Sequence, residues 1–266
     1  MLEQKTKLEI NEKYLQYVTK DGKVLKINAE LLYYKELNGL LRQAICTDVE
    51  RIEIHNVCGQ RYLGTDLDTN IQIDIYGTPG NDLGAFMNGP KLVVHGNGQD
   101  GSGNTMNEGQ IIIHGHAGDV TGNSMRGGKI FVRDYVGYRV GIHMKEYQRK
   151  IPQIVVGHTA GDFFAEYMAG GVMVILGLNL KEGQKCKAKF VGTGMHGGVI
   201  YERGEILEPV EGTKTLDTGK RDLKTIEALV KEYCNHFDAD PNQILAHKFK
   251  KILPISKRPY EKLFSH

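Results

Sequence analysis

The chain has 266 residues, 40% of them hydrophobic and 25% charged, with a formal net charge of +2 and a sequence pI near 8.2. This length supports one large domain or two small ones, the composition is that of a folded, soluble chain, and so mild a charge argues against nucleic acid or an anionic membrane as partner. Glycine is high at 33 residues, proline low at 7 and tryptophan absent; because short apolar runs alternate with the glycine clusters, the pattern points to many tight turns between short strands rather than to disorder.

Residues 1–10 are mixed and charged, with no apolar leader core, and no stretch approaches 18 apolar residues. Neither a signal peptide nor a membrane span is expected, and the expected location is the cytoplasm. Residues 28–44 carry Leu31, Leu32, Tyr34, Leu37, Leu40 and Leu41 at helical spacing, which predicts a helix. Residues 1–50 are therefore read as an N-terminal capping segment.

From about residue 52 the chain repeats itself. Met87, Met106, Met125 and Met144 are spaced 19 apart, as are Gly84, Gly103, Gly122 and Gly141. The same offset relates Asp100 to Asp119, Gly109 to Gly128 and His95 to His114, and brings Leu92-Val93-Val94, Ile111-Ile112-Ile113 and Ile130-Phe131-Val132 into register. The phase resumes after two insertions. Met168, Gly170-Gly171 and Met173-Val174-Ile175 follow five extra residues near 146–151, and Gly192, Met195, Gly197-Gly198 and Val199-Ile200-Tyr201 follow eight more near 179–189. About seven to eight units fit between residues 51 and 205.

A 19-residue unit is too short for a strand plus a full helix. Its apolar triplet is a short β-branched strand, and glycines beside it supply corners. Stacking equivalent strands about 4.8 Å apart satisfies the backbone between neighbouring coils, and connections between parallel strands wind right-handed. The fold class is therefore all-β: a right-handed, single-stranded parallel β-helix with helical caps at both ends. Stacking places the methionines in one interior ladder, where flexible thioethers fill gaps. Open solenoid ends need covering; after the repeat, residues 222–237 read as a helix with Asp222 as N-cap, residues 241–251 as a shorter one, and residues 253–266 as a basic extended tail. Residues 206–266 are read together as the C-terminal cap.

Several features imitate chemistry. Residues 96–101 (GNGQDG) and 192–197 (GTGMHG) match G-x-G-x-x-G, but another β unit follows each, where the dinucleotide fingerprint requires a helix. His95, His114 and His116 lack a completing ligand and read as ladder histidines rather than a metal site. Asp100, Asp119 and Asp162 resemble the acidic rows of β-helix polysaccharide enzymes, yet they obey the repeat beside corner glycines and read as aspartates accepting backbone hydrogen bonds. Cys46, Cys58, Cys186 and Cys234 form no C-x-x-C, so no zinc ribbon or cubane iron–sulfur motif is written locally. No nucleophile elbow occurs. The departures from the period are the two basic insertions, with Lys145, Tyr147 and Arg149 in the first and Lys185 and Lys187 in the second; these are the candidate partner-contact residues.

The stretches GTPGNDLGAFMNGP (77–90), VGYRVGIHMKEY (136–147), GDFFAEYMAGG (161–171) and GTGMHGG (192–198) resemble the GXGXG domain that closes the large subunit of glutamate synthase, in its stand-alone archaeal-type form. A more distant resemblance is to the C-type subunit of formylmethanofuran dehydrogenase. The first resemblance implies a β-helix with no catalytic, cofactor or metal residue of its own. Its structural repeat positions are Gly84, Met87, Gly103, Met106, Gly122, Met125, Gly141, Met144, Met168, Gly171, Met195 and Gly198. It further implies a scaffold subunit bridging a glutamine amidotransferase subunit and an FMN-binding synthase subunit, with FMN and an iron–sulfur cluster in those partners. The second implies a C-type subunit of a formylmethanofuran dehydrogenase-like complex, and an independent β-helix lyase or hydrolase is the third reading. Homo-oligomerisation, the electron donor and the amine acceptor are left open by the residues.

Overall fold

The structure is a computed structural model that describes residues 11–256; the end of the expected basic tail, residues 257–266, lies outside the described residues. A 3-10 helix, Glu12–Tyr17, leads into a hairpin of β1 (Val18–Asp21) and β2 (Val24–Asn28). Helix α1 (Tyr34–Ile45) follows, and then the repeat: β3 (Arg51–Cys58), β4 (Gln72–Thr78), β5 (Asn88–Val94), β6 (Glu108–Ile113), β7 (Lys129–Val132), β8 (Gln153–Val156), β9 (Ala169–Ile175) and β10 (Gly197–Arg203). The chain continues as β11 (Thr213–Asp217), α2 (Lys220–Phe237), α3 (Pro241–Leu245) and β12 (Phe249–Pro254). Strands β2 to β10 stack in chain order, each parallel to the next, and β12 and then β11 extend the sheet antiparallel. The winding is right-handed, with helical caps.

Register explains the core. Leu25, Ile52, Ile73, Leu92, Ile111, Ile130, Ile154, Met173 and Ile200 form one continuous column, each paired with its neighbour in the next strand. All are buried. Two residues on, a second inward column runs from Ile27 to Ile175 and ends in Glu202. That carboxylate is buried and accepts the Ile206 and Leu207 amides at 2.8 and 2.7 Å, which folds the next loop over the end of the core. Between these columns, Val93, Ile112, Phe131, Val155 and Val174 point to the opposite face of the sheet, as strand alternation requires.

That outer face is where α2 packs. Ile226, Leu229, Val230, Tyr233 and Cys234 form a second apolar cluster with the outer column. Tyr233 donates its hydroxyl to the Arg133 carbonyl at 3.0 Å, and Lys129 reaches Glu232 at 2.6 Å. The helix thus runs along the flank of the stack, while β12 takes the open edge of β10 (Ile200 opposite Ile252).

Local starts and stops differ from the sequence expectation. The N-terminal helix begins at Tyr34, not at residue 28, because Asn28 still pairs with His55 in the ladder and the Ala29 amide donates to the His55 carbonyl at 2.8 Å. Leu31, expected on the helix, sits in the left-handed region at φ 64 and is 92% exposed. Leu37, Leu40, Leu41 and Ala44 of α1 do close over the N-terminal end of the core. At α2 the N-cap is Gly219 rather than Asp222; Asp222 lies in the first turn and reaches back to accept the Gly219 amide at 2.7 Å, while also holding Tyr201 and Lys251. The helix expected over 241–251 stops at Leu245, since an unpaired β10 edge competes for the following residues.

Candidate functional site

The repeat residues are first of all packing devices. Met87, Met106, Met125, Met144, Met168 and Met195 are all buried in one core. The long thioethers of Met106, Met144 and Met168 each reach beneath a glycine of the next coil. A Cβ on Gly128 (φ +77) would fall 2.4 Å from the Met106 methyl, and one on Gly198 (φ +76) would fall 2.4 Å from that of Met168. The two pairs are 22 and 30 residues apart in sequence, the difference being the second insertion, yet the contact is the same.

The aspartate column has a similar account. Asp100 accepts the Asp119 amide, Asp119 the Tyr138 amide and Asp162 the Lys189 amide, each at 2.8 Å. Each carboxylate therefore ties one coil to the next. A Cβ on Gly118 or Gly137 would meet Asp100 or Asp119 at 2.2 and 2.1 Å, so these two glycines make room for the aspartate of the coil before.

The histidines stack as a ladder. His55, Tyr76, His95 and His114 lie face to face across four coils with ring centroids 4.6, 4.4 and 5.4 Å apart, closed by Phe237 edge-on. Beside them Asp74, nearly fully buried, takes His95 Nε2, Arg51 Nε and Gln72 Nε2, each at 2.9 Å. Burial pushes the Asp74 carboxyl upward, but the His95 and Gln72 hydrogen bonds and the Arg51 charge outweigh it and hold the pKa below the usual carboxylate range. Burial, with the His95 and Arg133 charges, holds His114 below the usual imidazole value. His116 stacks separately on Tyr135. No group of three or more His, Cys, Asp or Glu among the described residues is arranged to hold a metal ion. Cys46 and Cys58 are exposed, Cys186 and Cys234 buried, and all four are free.

A surface feature remains that the packing does not use. The corner of each coil carries alternating left-handed residues, and several are bulky: Tyr62, Phe86, Arg139, His143, Phe163, Tyr167 and Phe190, all with φ between 51 and 62. Such conformations cost about 1–2 kcal/mol for a non-glycine residue. These residues fall in two neighbouring corner columns, Arg139, Phe163 and Phe190 in one and Phe86, His143 and Tyr167 in the other, with Thr105 and Ser124 between Phe86 and His143. Phe163 stacks on Phe190 at 4.9 Å, His143 on Tyr167 at 5.4 Å, and the Arg139 guanidinium sits 4.9 Å over Phe163 while binding Glu166 at 2.9 Å. Phe86, Tyr167 and Phe190 are still 50, 42 and 50% exposed. Exposed aromatic surface of this kind is a candidate interaction site. These rings were not legible as a site in the sequence, although Arg139, Phe163 and Phe190 do occupy the column that Gly101 and Val120 hold in more regular coils.

The insertions flank this region. Lys145, Tyr147 and Arg149 are exposed, and the first insertion is braced by the Tyr147–Lys150 backbone pair, by Glu146 accepting the Gly171 amide at 3.1 Å and by Lys150 on Glu108 at 2.8 Å. In the second, Lys185 pairs with Glu208 at 3.0 Å and Lys187 is exposed, with buried Cys186 and Ala188 anchoring the loop between them.

The signature described as the GXGXG motif matches residues 43–256. The chain belongs to the GXGXG family. The stretches that resemble the glutamate synthase domain all lie within that match. A relative from Methanocaldococcus jannaschii, the uncharacterized protein MJ1350, is 46% identical over 249 residues, which span 90% of this chain and 95% of the relative. Among solved structures, a chain of the formyltransferase/hydrolase complex FhcABCD from Methylorubrum extorquens, solved with methylofuran, shares the fold at a TM-score of 0.58 and 19% identity, covering 85% of this chain and 89% of that one.

The expected partner pair, a glutamine amidotransferase and an FMN-binding synthase, is corrected by this last match, whose chain sits in a formyltransferase/hydrolase complex instead. The physical reason is plain from the columns above. The motifs that carried the resemblance are methionines under glycines and aspartates bonded to amides, which serve coil-to-coil packing and do not specify a partner. The expectation of FMN and an iron–sulfur cluster rested on that pair and is not carried further. No helix of the described residues is long and apolar enough to cross a membrane.

Proposed function

We propose that this GXGXG protein is a non-catalytic, β-helical scaffold subunit of a multi-subunit enzyme complex of the formyltransferase/hydrolase kind. The observation that carries this reading is the set of exposed rings at the coil corners. Phe86, Tyr167 and Phe190 keep their rings 50, 42 and 50% exposed there, Tyr167 stacked on His143 and Phe190 on half-buried Phe163, and a rigid solenoid presents such rings to a partner protein, since exposed aromatics of this kind anchor interfaces. The shared fold with a subunit of such a complex supports the class of partner. By contrast, the row of aspartates that an independent lyase or hydrolase would use is already engaged by backbone amides.

The test is gentle purification of the tagged chain from its native source, with identification of whatever co-elutes. Subunits of formyltransferase or formyl-hydrolase type are expected. The double variant Phe163→Ala/Phe190→Ala should lose them while keeping its unfolding midpoint. A chain that elutes alone, or with subunits of an unrelated enzyme, overturns the proposal.

A further inference from the structure

The second insertion does more than lengthen a coil. With the end of β10 and the turn between α2 and α3 it encloses a cleft of about 810 Å³, a volume in the range that takes a small organic molecule. Its apolar lining comes from Leu178, Leu180, Ile206 and Ile244. Ile206 and Ile244 are buried and Leu180 packs on the core, so this wall is built rather than loose.

Into the same cleft comes Arg203. Its Nε donates to the Leu176 carbonyl at 2.5 Å and one Nη to that of Gly177 at 3.0 Å, which fixes the guanidinium plane. A guanidinium has five N–H donors, so three are left. Among the described residues Arg203 has no carboxylate partner, unlike most of the other half-buried cations of this chain, and burial depresses its pKa with nothing opposing it. Lys181 also lines the cleft. Two carboxylates of the lining are engaged: Glu205 shares Lys250 with Asp217, at 3.1 and 2.9 Å, and Asp240 accepts the Asn242 amide at 2.9 Å and keeps its charge; Lys185, also in the lining, pairs with Glu208. Glu182 is solvent-exposed. A half-buried charge without a counter-charge is unfavourable unless something supplies one.

We infer that this cleft is a binding site for a small organic oxyanion, a carboxylate or phosphate group on an apolar body, with Arg203 taking the oxyanion and Leu178, Leu180, Ile206 and Ile244 the body. The inference is independent of the complex proposed above, since it concerns the opposite use of an insertion: enclosing a ligand rather than touching a neighbouring protein.

Four probes separate its parts when titrated into the 15N-labelled full chain and followed by amide shifts: hexanoate, hexan-1-ol, hexylammonium and inorganic phosphate. Hexanoate is expected to shift amides in residues 178–185, 203–206 and 239–247 saturably, and to bind at least about tenfold more tightly than the alcohol, the amine or phosphate, the effect of a charge-assisted bond. Arg203→Met should weaken hexanoate by a similar factor, and Arg203→Lys should recover part of it. Because Arg203 also holds two carbonyls, Lys181→Ala is the second variant; it should weaken hexanoate several-fold with the fold intact. Equal binding of hexanoate and hexanol, equal binding of phosphate, shifts outside these segments, or no effect of either variant overturns the assignment.

Discussion

Gly128→Ala and Met106→Ala should be strongly coupled, although 22 residues separate them. The new Cβ would lie 2.4 Å from the Met106 methyl and 2.8 Å from the Gly109 carbonyl oxygen, in a residue with φ +77. The left-handed conformation alone costs about 1–2 kcal/mol, and forcing the methyl into a filled core adds about 1–3 kcal/mol. Met106→Ala by itself should cost about 2–5 kcal/mol, being a large-to-small change at a fully buried site. In the double variant the methyl is gone, so Gly128→Ala should keep only its backbone strain and its close approach to the Gly109 carbonyl, and the pair should be less destabilised than the sum by about 1–3 kcal/mol. Gly59→Ala provides the strain reference, because Gly59 has φ +79 and open space where its Cβ would go. Urea unfolding followed by far-UV circular dichroism is the assay, the chain having no tryptophan. Met168 and Gly198 repeat the experiment with the same contact at a separation of 30. Additivity within about 0.5 kcal/mol in both pairs would refute the claim that methionine and glycine columns interlock.

Asp119→Ala should lower stability by about 1 kcal/mol through loss of the bond to the Tyr138 amide, read as a shifted urea midpoint; no change would mean that solvent replaces the bond fully. Tyr233→Phe should cost about 1 kcal/mol for the lost bond to the Arg133 carbonyl, whereas Tyr233→Ala should add a cavity under α2 and cost about 3–5 kcal/mol; similar losses in both would contradict apolar docking of the helix. The pKa of His114 is depressed by burial and by the His95 and Arg133 charges, so the unfolded chain binds this proton more readily. Stability from this group is complete above the unfolded value of about 6.5 and falls as pH drops from there towards the folded value. The urea midpoint should decline below pH of about 6.5, and His114→Gln should flatten that limb; an unchanged slope in the variant would assign the limb elsewhere.

The solenoid itself was legible from the chain alone because stacking converts a fixed sequence offset into spatial contact. Met106 beneath Gly128, Asp100 below Gly118 and Ile111 beside Ile130 are neighbours wherever the period holds, so columns in the sequence are columns in space. What lay outside the period could be decided only in three dimensions. The entry of β2 into the parallel ladder, the course of α2 along the outer face and the antiparallel closure by β12 depend on contacts such as Lys129 with Glu232 or Tyr233 with Arg133, about a hundred residues apart with no recurring spacing to announce them. The exposed rings at the coil corners and the Arg203 guanidinium, without a carboxylate partner among the described residues, were hidden for the same reason. Each is defined by what its neighbours leave uncovered or uncharged, and that is a property of the assembled surface rather than of any local run of residues.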